Sequence, residues 1–206
     1  MQFEPHDGRD GYKVWLNTHE SDLLRNHYSG KKKLAVLLML DSGMRSEETT
    51  RICLDDIRRL ESDEEAYMVR FSGKDTTGTL ADGKWREAPI SKEAVEIIDT
   101  LASVKGRTRN DPAIDVGKRT VQRWVEDARE DLAEQTGDDD WLELSAHDLR
   151  RSWATRTYYS LNASESEKSI IMRWGGWTKQ STFEENYLGR PPDELAADMM
   201  EAAGLR

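Results

Sequence analysis

Apolar positions along the chain recur at two spacings, and the change from one to the other separates its elements. Over residues 20–28 and again over 31–41, leucine, valine and methionine fall at helical intervals, and Gly43 follows where a left-handed helix end would sit. A short helix is expected directly after Met44, running through Ile52 and Leu54. Residues 66–72 instead alternate and carry strand formers, and 84–90 reads as a return strand with Pro89 near its end. Between them lies a Gly- and Thr-rich segment, read as a long, mobile hairpin tip.

Helical spacing then resumes. Ser91 is placed to cap a helix carrying Val95, Ile97, Ile98 and Leu101, and a loop with Gly106, Asn110 and Pro112 separates it from a helix over about 118–135. The acidic run 138–140 breaks that helix, and the next is expected near His147. Ser164 with Glu167 has the capping-box form and opens a helix through Ile170, Ile171 and Met172. A short helix holding Tyr187 and, after Pro191 and Pro192, an amphipathic helix over 193–203 complete the chain. Residues 1–19 read as a polar, irregular leader with Trp15 as one anchoring aromatic. The pattern predicts an α+β fold, mainly helical, with one small antiparallel β-sheet: a domain over 20–190 followed by a helical tail over 191–206.

Charge changes this picture more than hydropathy does. The formal net charge of −10 argues against a nucleic-acid partner if only the sum is counted. The distribution argues otherwise. Acidic residues crowd into 61–65, 126–134 and 138–140, while basic ones gather at 31–33, at Lys105, Arg107 and Arg109, at Lys118, Arg119 and Arg123, and at Arg150 and Arg151. An acidic shell with local basic patches also suits a protein of halophilic origin, where high net charge preserves solubility. The single Cys53 excludes an intrachain disulfide. No export signal or membrane span is evident, which fits a cytoplasmic protein, and no zinc-spaced Cys/His set, Walker loop or dinucleotide fingerprint occurs, so no metal or other cofactor is expected.

The candidate chemistry concentrates in the last quarter. His147 and Arg150 stand one helical turn apart, Gly176-Trp177 follows, and then comes Tyr187. Taken alone, a His-x-x-Arg pair is an ordinary cap or salt-bridge arrangement, Arg45 a solvated arginine beside acids, Lys74 a hairpin lysine, and Tyr187 a half-buried aromatic. Their order gives them weight.

That order resembles the catalytic domain of the tyrosine recombinases, the phage integrase family. Leu40-Asp41-Ser42-Gly43-Met44-Arg45-Ser46-Glu47-Glu48 is similar to the family's first arginine motif, Gly73-Lys74 to its hairpin lysine, and His147-Asp148-Leu149-Arg150 with Ser152-Trp153-Ala154-Thr155 to its His-x-x-Arg motif. Trp177 stands at the Gly-His/Trp position, where it would pack and hydrogen-bond through an indole, and Tyr187 at the position of the nucleophile. Departures are specific. Arg151 stands where many members have a second histidine, the spacing from Trp177 to Tyr187 is about one residue longer than the family's, and Lys84 is an alternative to Lys74. Members usually carry a separate N-terminal DNA-clamping domain, and the expectation here is that almost no room is left for one.

The resemblance implies site-specific recombination through a 3′-phosphotyrosyl intermediate, without metal or ATP. Arg45 and Arg150 would hold the phosphate, Lys74 protonate the leaving oxygen, and His147 serve the tyrosine's proton. The implied partners are double-stranded DNA, further copies of the chain coupled through the tail, and an accessory DNA-binding protein. Lys118, Arg119, Gln122 and Arg123 would face DNA from one helix, with a solvated helix face as the other reading of the same spacing. A DNA-binding regulator that does not recombine, a type IB topoisomerase-like activity and an acidic protein-interaction domain are the alternatives.

Overall fold

The computed structural model describes residues 1–8, 10–73, 84–161 and 164–205. Two strands open the chain, β1 (Gln2–Pro5) and β2 (Tyr12–Trp15), paired antiparallel with Phe3 opposite Val14. Helices α1 (Thr18–His27), α2 (Gly30–Ser42) and the single turn α3 (Ser46–Thr49) follow. A second sheet has the order β3-β4-β5, from β3 (Ile57–Arg59), β4 (Tyr67–Gly73) and β5 (Lys84–Ile90), all antiparallel. Then come α4 (Lys92–Ala102), α5 (Lys118–Thr136), α6 (Ala146–Ser160), α7 (Glu165–Gly175), α8 (Gln180–Tyr187) and α9 (Asp193–Ala202).

The core is built around α2. Every residue from Leu34 to Leu40 is buried, so the helix has no solvent face through this stretch, and α1, α4, α5, α6 and β5 pack around it. It ends at Gly43, which adopts φ 62°. A Cβ there would lie 2.2 Å from Trp153 of α6, so the turn requires glycine for its backbone and for its space.

A second, aromatic cluster of Trp153, Trp177, Phe183 and Tyr187 joins α6, α7 and α8. It is held from outside by Lys168 of α7, which contacts Glu184 of α8 at 3.1 Å.

The residues expected to form an irregular leader are instead the β1–β2 sheet. Its inner strand is stitched to α6: Val14 N donates to Asp148 Oδ1 at 3.1 Å and Leu16 N to Ser152 Oγ at 2.9 Å. Alternation over so few residues is a weak signal, and the partner that stabilises the strand lies 134 residues away. Among the described residues there are thus two small sheets where one was expected, and the larger has a third strand, β3, that the apolar pattern does not mark.

Candidate active site

Arg150 stands at the centre of the site. Ser145 and Asp148 form the capping box that starts α6, which puts His147 in the first turn and Arg150 one turn further along. The Arg150 side chain is fully buried. Its Nη1 donates to the carbonyl of Gly43 and its Nη2 to the carbonyl of Gly175 at 2.5 Å. The guanidinium also lies 4.3 Å from the Trp177 ring centroid and 5.4 Å from that of Tyr187. Burial, then the charges of Arg45 and Arg86, push its pKa down to about 9, which leaves it cationic at neutral pH.

Arg45 reaches the same place from the turn after α2. The buried carboxylate of Glu48 accepts from Arg45 Nη1 at 2.9 Å, from the Arg45 backbone N–H at 2.8 Å, and from Arg86 Nη2 at 2.7 Å. Burial alone would raise the Glu48 pKa, but the charges of Arg86, Arg150 and Arg45 hold it below the ordinary carboxylate value.

Arg86 is a site residue that the sequence motifs do not mark. It extends from β5 across the Phe71 ring, 4.5 Å from its centroid, and is nearly as buried as the glutamate it binds. It also fills the space over Gly176, where φ is 74° and a Cβ would stand 2.6 Å from Arg86 Nη1. The available signal was the β5 pattern itself, in which Arg86 faces Phe71 across the hairpin.

Tyr187 ends α8 with its side chain turned into this cluster. Its ring lies 4.5 Å from that of Trp177 and 5.5 Å from that of His147, which is itself exposed. Burial would raise the phenol pKa. The Arg150 charge, a donor effect from Trp177 and the Arg45 charge outweigh it, so the group ionises below its ordinary value. Trp177 Nε1 acts on the Tyr187 oxygen but has no acceptor at full hydrogen-bonding geometry, so the indole packs more than it bonds. Trp177 stacks on Trp153 at 5.9 Å.

Arg45, His147, Arg150, Trp177 and Tyr187 therefore converge, joined by Glu48 and Arg86. Lys74 lies outside the described residues, as does the hairpin tip. Lys84 opens β5 opposite Gly73 and is exposed. A cavity of about 490 Å³ opens beside the arginines, lined by Arg45, Lys84, Trp85, Arg86, Arg173 and Trp177 among others. The arrangement offers an anion several guanidinium donors and, within the same cluster, a phenol shifted toward its ionised form.

The sequence profile of the phage integrase family matches residues 3–191. The chain belongs to the phage integrase family. No curated protein sequence shows significant similarity to it. Among solved structures, XerA recombinase superposes with a TM-score of 0.66 at 17% identity, over 94% of this chain and 66% of the other. The Tn1549 transposon integrase in complex with a circular intermediate DNA gives 0.63 at 13% identity, over 95% and 67%. XerH site-specific recombinase bound to palindromic difH substrate, a post-cleavage complex, gives 0.61 at 19% identity, over 90% and 52%. The integrase-family chain thus shares their fold and spans about half to two thirds of their length.

Within this family member, Lys118, Arg119, Gln122 and Arg123 are all exposed on α5, and Lys118 Nζ lies 3.7 Å from Glu47 of α3, beside the Arg45 turn. The lysines at 31–33 are engaged by the chain itself: Lys31 pairs with Asp115, Lys33 with Glu93, and Lys32 lies over the Tyr28 ring. Arg151, at the place of a second histidine, bonds Asp148 and the carbonyl of Asn186. Among the described residues no helix is long and apolar enough to cross a membrane.

Proposed function

We propose that this chain is the catalytic domain of a site-specific tyrosine recombinase that cuts and rejoins double-stranded DNA. The observation that carries this reading is the packing of Tyr187 against a buried, doubly anchored Arg150 within a member of the phage integrase family. A tyrosine phenol ordinarily ionises near pH ~10 and is a poor nucleophile at neutral pH, and the lowered pKa of Tyr187 moves it toward the reactive form.

In the proposed step the Tyr187 oxygen attacks the scissile phosphorus while its proton passes to His147. Arg45 and Arg150 meet the charge that grows on the non-bridging oxygens. The bond from phosphorus to the 5′ oxygen breaks, and that oxygen takes a proton from Lys74, or from Lys84 in its place. The products are a 3′-phosphotyrosyl strand and a free 5′ hydroxyl. Attack by the hydroxyl of a second strand returns the tyrosine and joins the new partner, so the phosphodiester energy is conserved and no nucleotide is consumed. The residues named account for each proton and charge in the step without a bound metal.

The exposed α5 face, adjoining the Arg45 turn, is the proposed backbone-contacting surface, and further copies of the chain, with an accessory DNA-binding protein, are the proposed partners. The acidic remainder of the surface supports work at high ionic strength, where backbone attraction is screened. The test is a nicked suicide substrate carrying the target site, incubated over a range of KCl. A denaturant-stable protein–DNA adduct is expected from the native chain and none from Tyr187→Phe. An adduct surviving in that variant removes Tyr187 from the role. Relaxation of supercoiled DNA without a specific site would favour the topoisomerase-like alternative.

A further inference from the structure

The last turn of α8 and the residues after it are gripped by side chains from outside the helix. The carbonyl of Glu185 accepts from Lys13 Nζ at 3.0 Å, and that of Asn186 from Arg151 Nε at 3.0 Å. The carbonyl of Tyr187 accepts twice, from Trp15 Nε1 and from Thr155 Oγ1, each at 2.9 Å. Beyond the helix end, Gly189 N donates to Thr155 Oγ1 at 2.8 Å and Tyr159 OH donates to the Gly189 carbonyl at 3.2 Å.

The final carbonyls of a helix have no partner within it, and cations are favoured at that end. Here those carbonyls are bonded one after another, by two cations among others. Lys13, Trp15 and Arg151 are all buried, at 4%, 3% and 5% exposure, so water cannot readily replace these bonds if they break.

The donors come from two elements that are themselves locked together. Lys13 and Trp15 project from the same face of β2, while the backbone N–H groups of Val14 and Leu16 are bonded to Asp148 and Ser152 of α6. Asp148 also holds Arg151. The β2 strand therefore bridges the helix that carries His147 and Arg150 and the helix end that carries Tyr187. Thr155 and Arg151 of α6 hold the same helix end, so a shift of β2 against α6 would pull the Lys13 and Trp15 bonds away from the α6 bonds to neighbouring carbonyls.

We propose that Lys13 and Trp15 are positioning residues for Tyr187, fixing the end of α8 so that the phenol rests against Arg150 and Trp177. This proposal rests on the recombinase reading for the significance of Tyr187, but half of its test needs no DNA. The charged and titratable groups facing the phenol are Arg150 and His147 from α6, Arg45 from the turn after α2 and Arg86 from β5, with the Trp177 ring packed against it at 4.5 Å.

The variants are Trp15→Phe, which keeps a ring and removes the N–H, and Lys13→Met, which keeps the stem and removes the ammonium. In the first arm, protein labelled with carbon-13 at the tyrosine Cζ is titrated by NMR, the Tyr187 signal being the one lost in Tyr187→Phe. We expect the Tyr187 ionisation to move upward in both variants while the other tyrosines titrate as before. In the second arm, single-turnover adduct formation at saturating suicide substrate falls about ten- to a hundredfold, with DNA affinity unchanged. Unaltered titration and unaltered rate in both variants overturn the proposal, as does a loss of stability in denaturant with neither readout moved. Should Trp15→Phe not fold, Lys13→Met decides by the same criteria. Absence of any adduct from the native chain would count against the recombinase reading alone, and the titration would still decide whether β2 positions the phenol.

Discussion

The guanidinium of Arg150 donates to the carbonyl of Gly43, which joins the helix of the His-x-x-Arg motif directly to the turn that presents Arg45. The two arginine motifs are thus one object, and a change on either side of this bond is felt on the other.

Arg150→Lys should test that union. A lysine ammonium cannot present the planar fork that spans the carbonyls of Gly43 and Gly175. Adduct formation should fall by about 10²–10³, corresponding to about 2.7–4 kcal/mol of lost transition-state stabilisation. Arg150→Met, which removes the charge as well as the fork, also takes away the strongest influence lowering the Tyr187 pKa, so the phenol should ionise at higher pH in that second variant. Single-turnover kinetics and the labelled-tyrosine titration measure the two effects separately.

Glu48→Ala should destabilise the fold by about 3–5 kcal/mol in urea unfolding, because Arg86 and Arg150 are then left without their buried counter-charge. The pH dependence has a definite sign. The folded-state pKa of Glu48 is depressed, so its contribution is fully present above the unfolded value of about 4.5 and is lost as pH falls through the lower, folded value. Native protein should lose stability through that acidic window, and Glu48→Gln should show a weaker dependence there.

Arg86→Met keeps much of the side-chain length and removes the charge that shares Glu48 with Arg45. If Arg86 serves to set Arg45 through the shared carboxylate, adduct formation should slow with little change in DNA affinity. Equal losses of rate and affinity would instead place Arg86 on the phosphate.

Gly43→Ala should cost more than the backbone alone demands. A left-handed conformation costs a non-glycine residue about 1–2 kcal/mol, and here the added methyl also meets the Trp153 ring. Gly137→Ala is the control, since Gly137 ends α5 at φ 69° with nothing within 4 Å of a Cβ. The difference between the two variants in chemical unfolding isolates the clash.

Deleting residues 192–206 removes α9, whose Met199 and Met200 are exposed at 61% and 46%. If the tail couples copies of the chain, strand exchange between two sites should be abolished while adduct formation at one site persists. Gel assays of the two reactions with the same protein distinguish these outcomes.

Much of this arrangement was legible in the sequence because its local signals agree with the fold. The apolar run before Gly43 forms α2, the alternating segments form β4 and β5, and Ser91 and Ser164 open α4 and α7 as their spacing predicts. What was not legible depends on contacts between distant residues. The β1–β2 sheet owes its place to α6, and Arg86 becomes a site residue only through a glutamate 38 positions away. The series from Arg45 to Tyr187 carried the site's location, whereas the carbonyls that hold Arg150 and the end of α8 belong to the backbone and leave no mark on residue type.

The backbone anchors of Arg150 also bear on when the protein becomes able to act. They lie 107 and 25 positions from it in the chain, so the central cation is seated only after long-range closure has brought three separate segments together. A nascent or partly folded chain carries the tyrosine without the surroundings that lower its pKa. The surroundings that lower the Tyr187 pKa therefore arrive with the completed fold and depart with it.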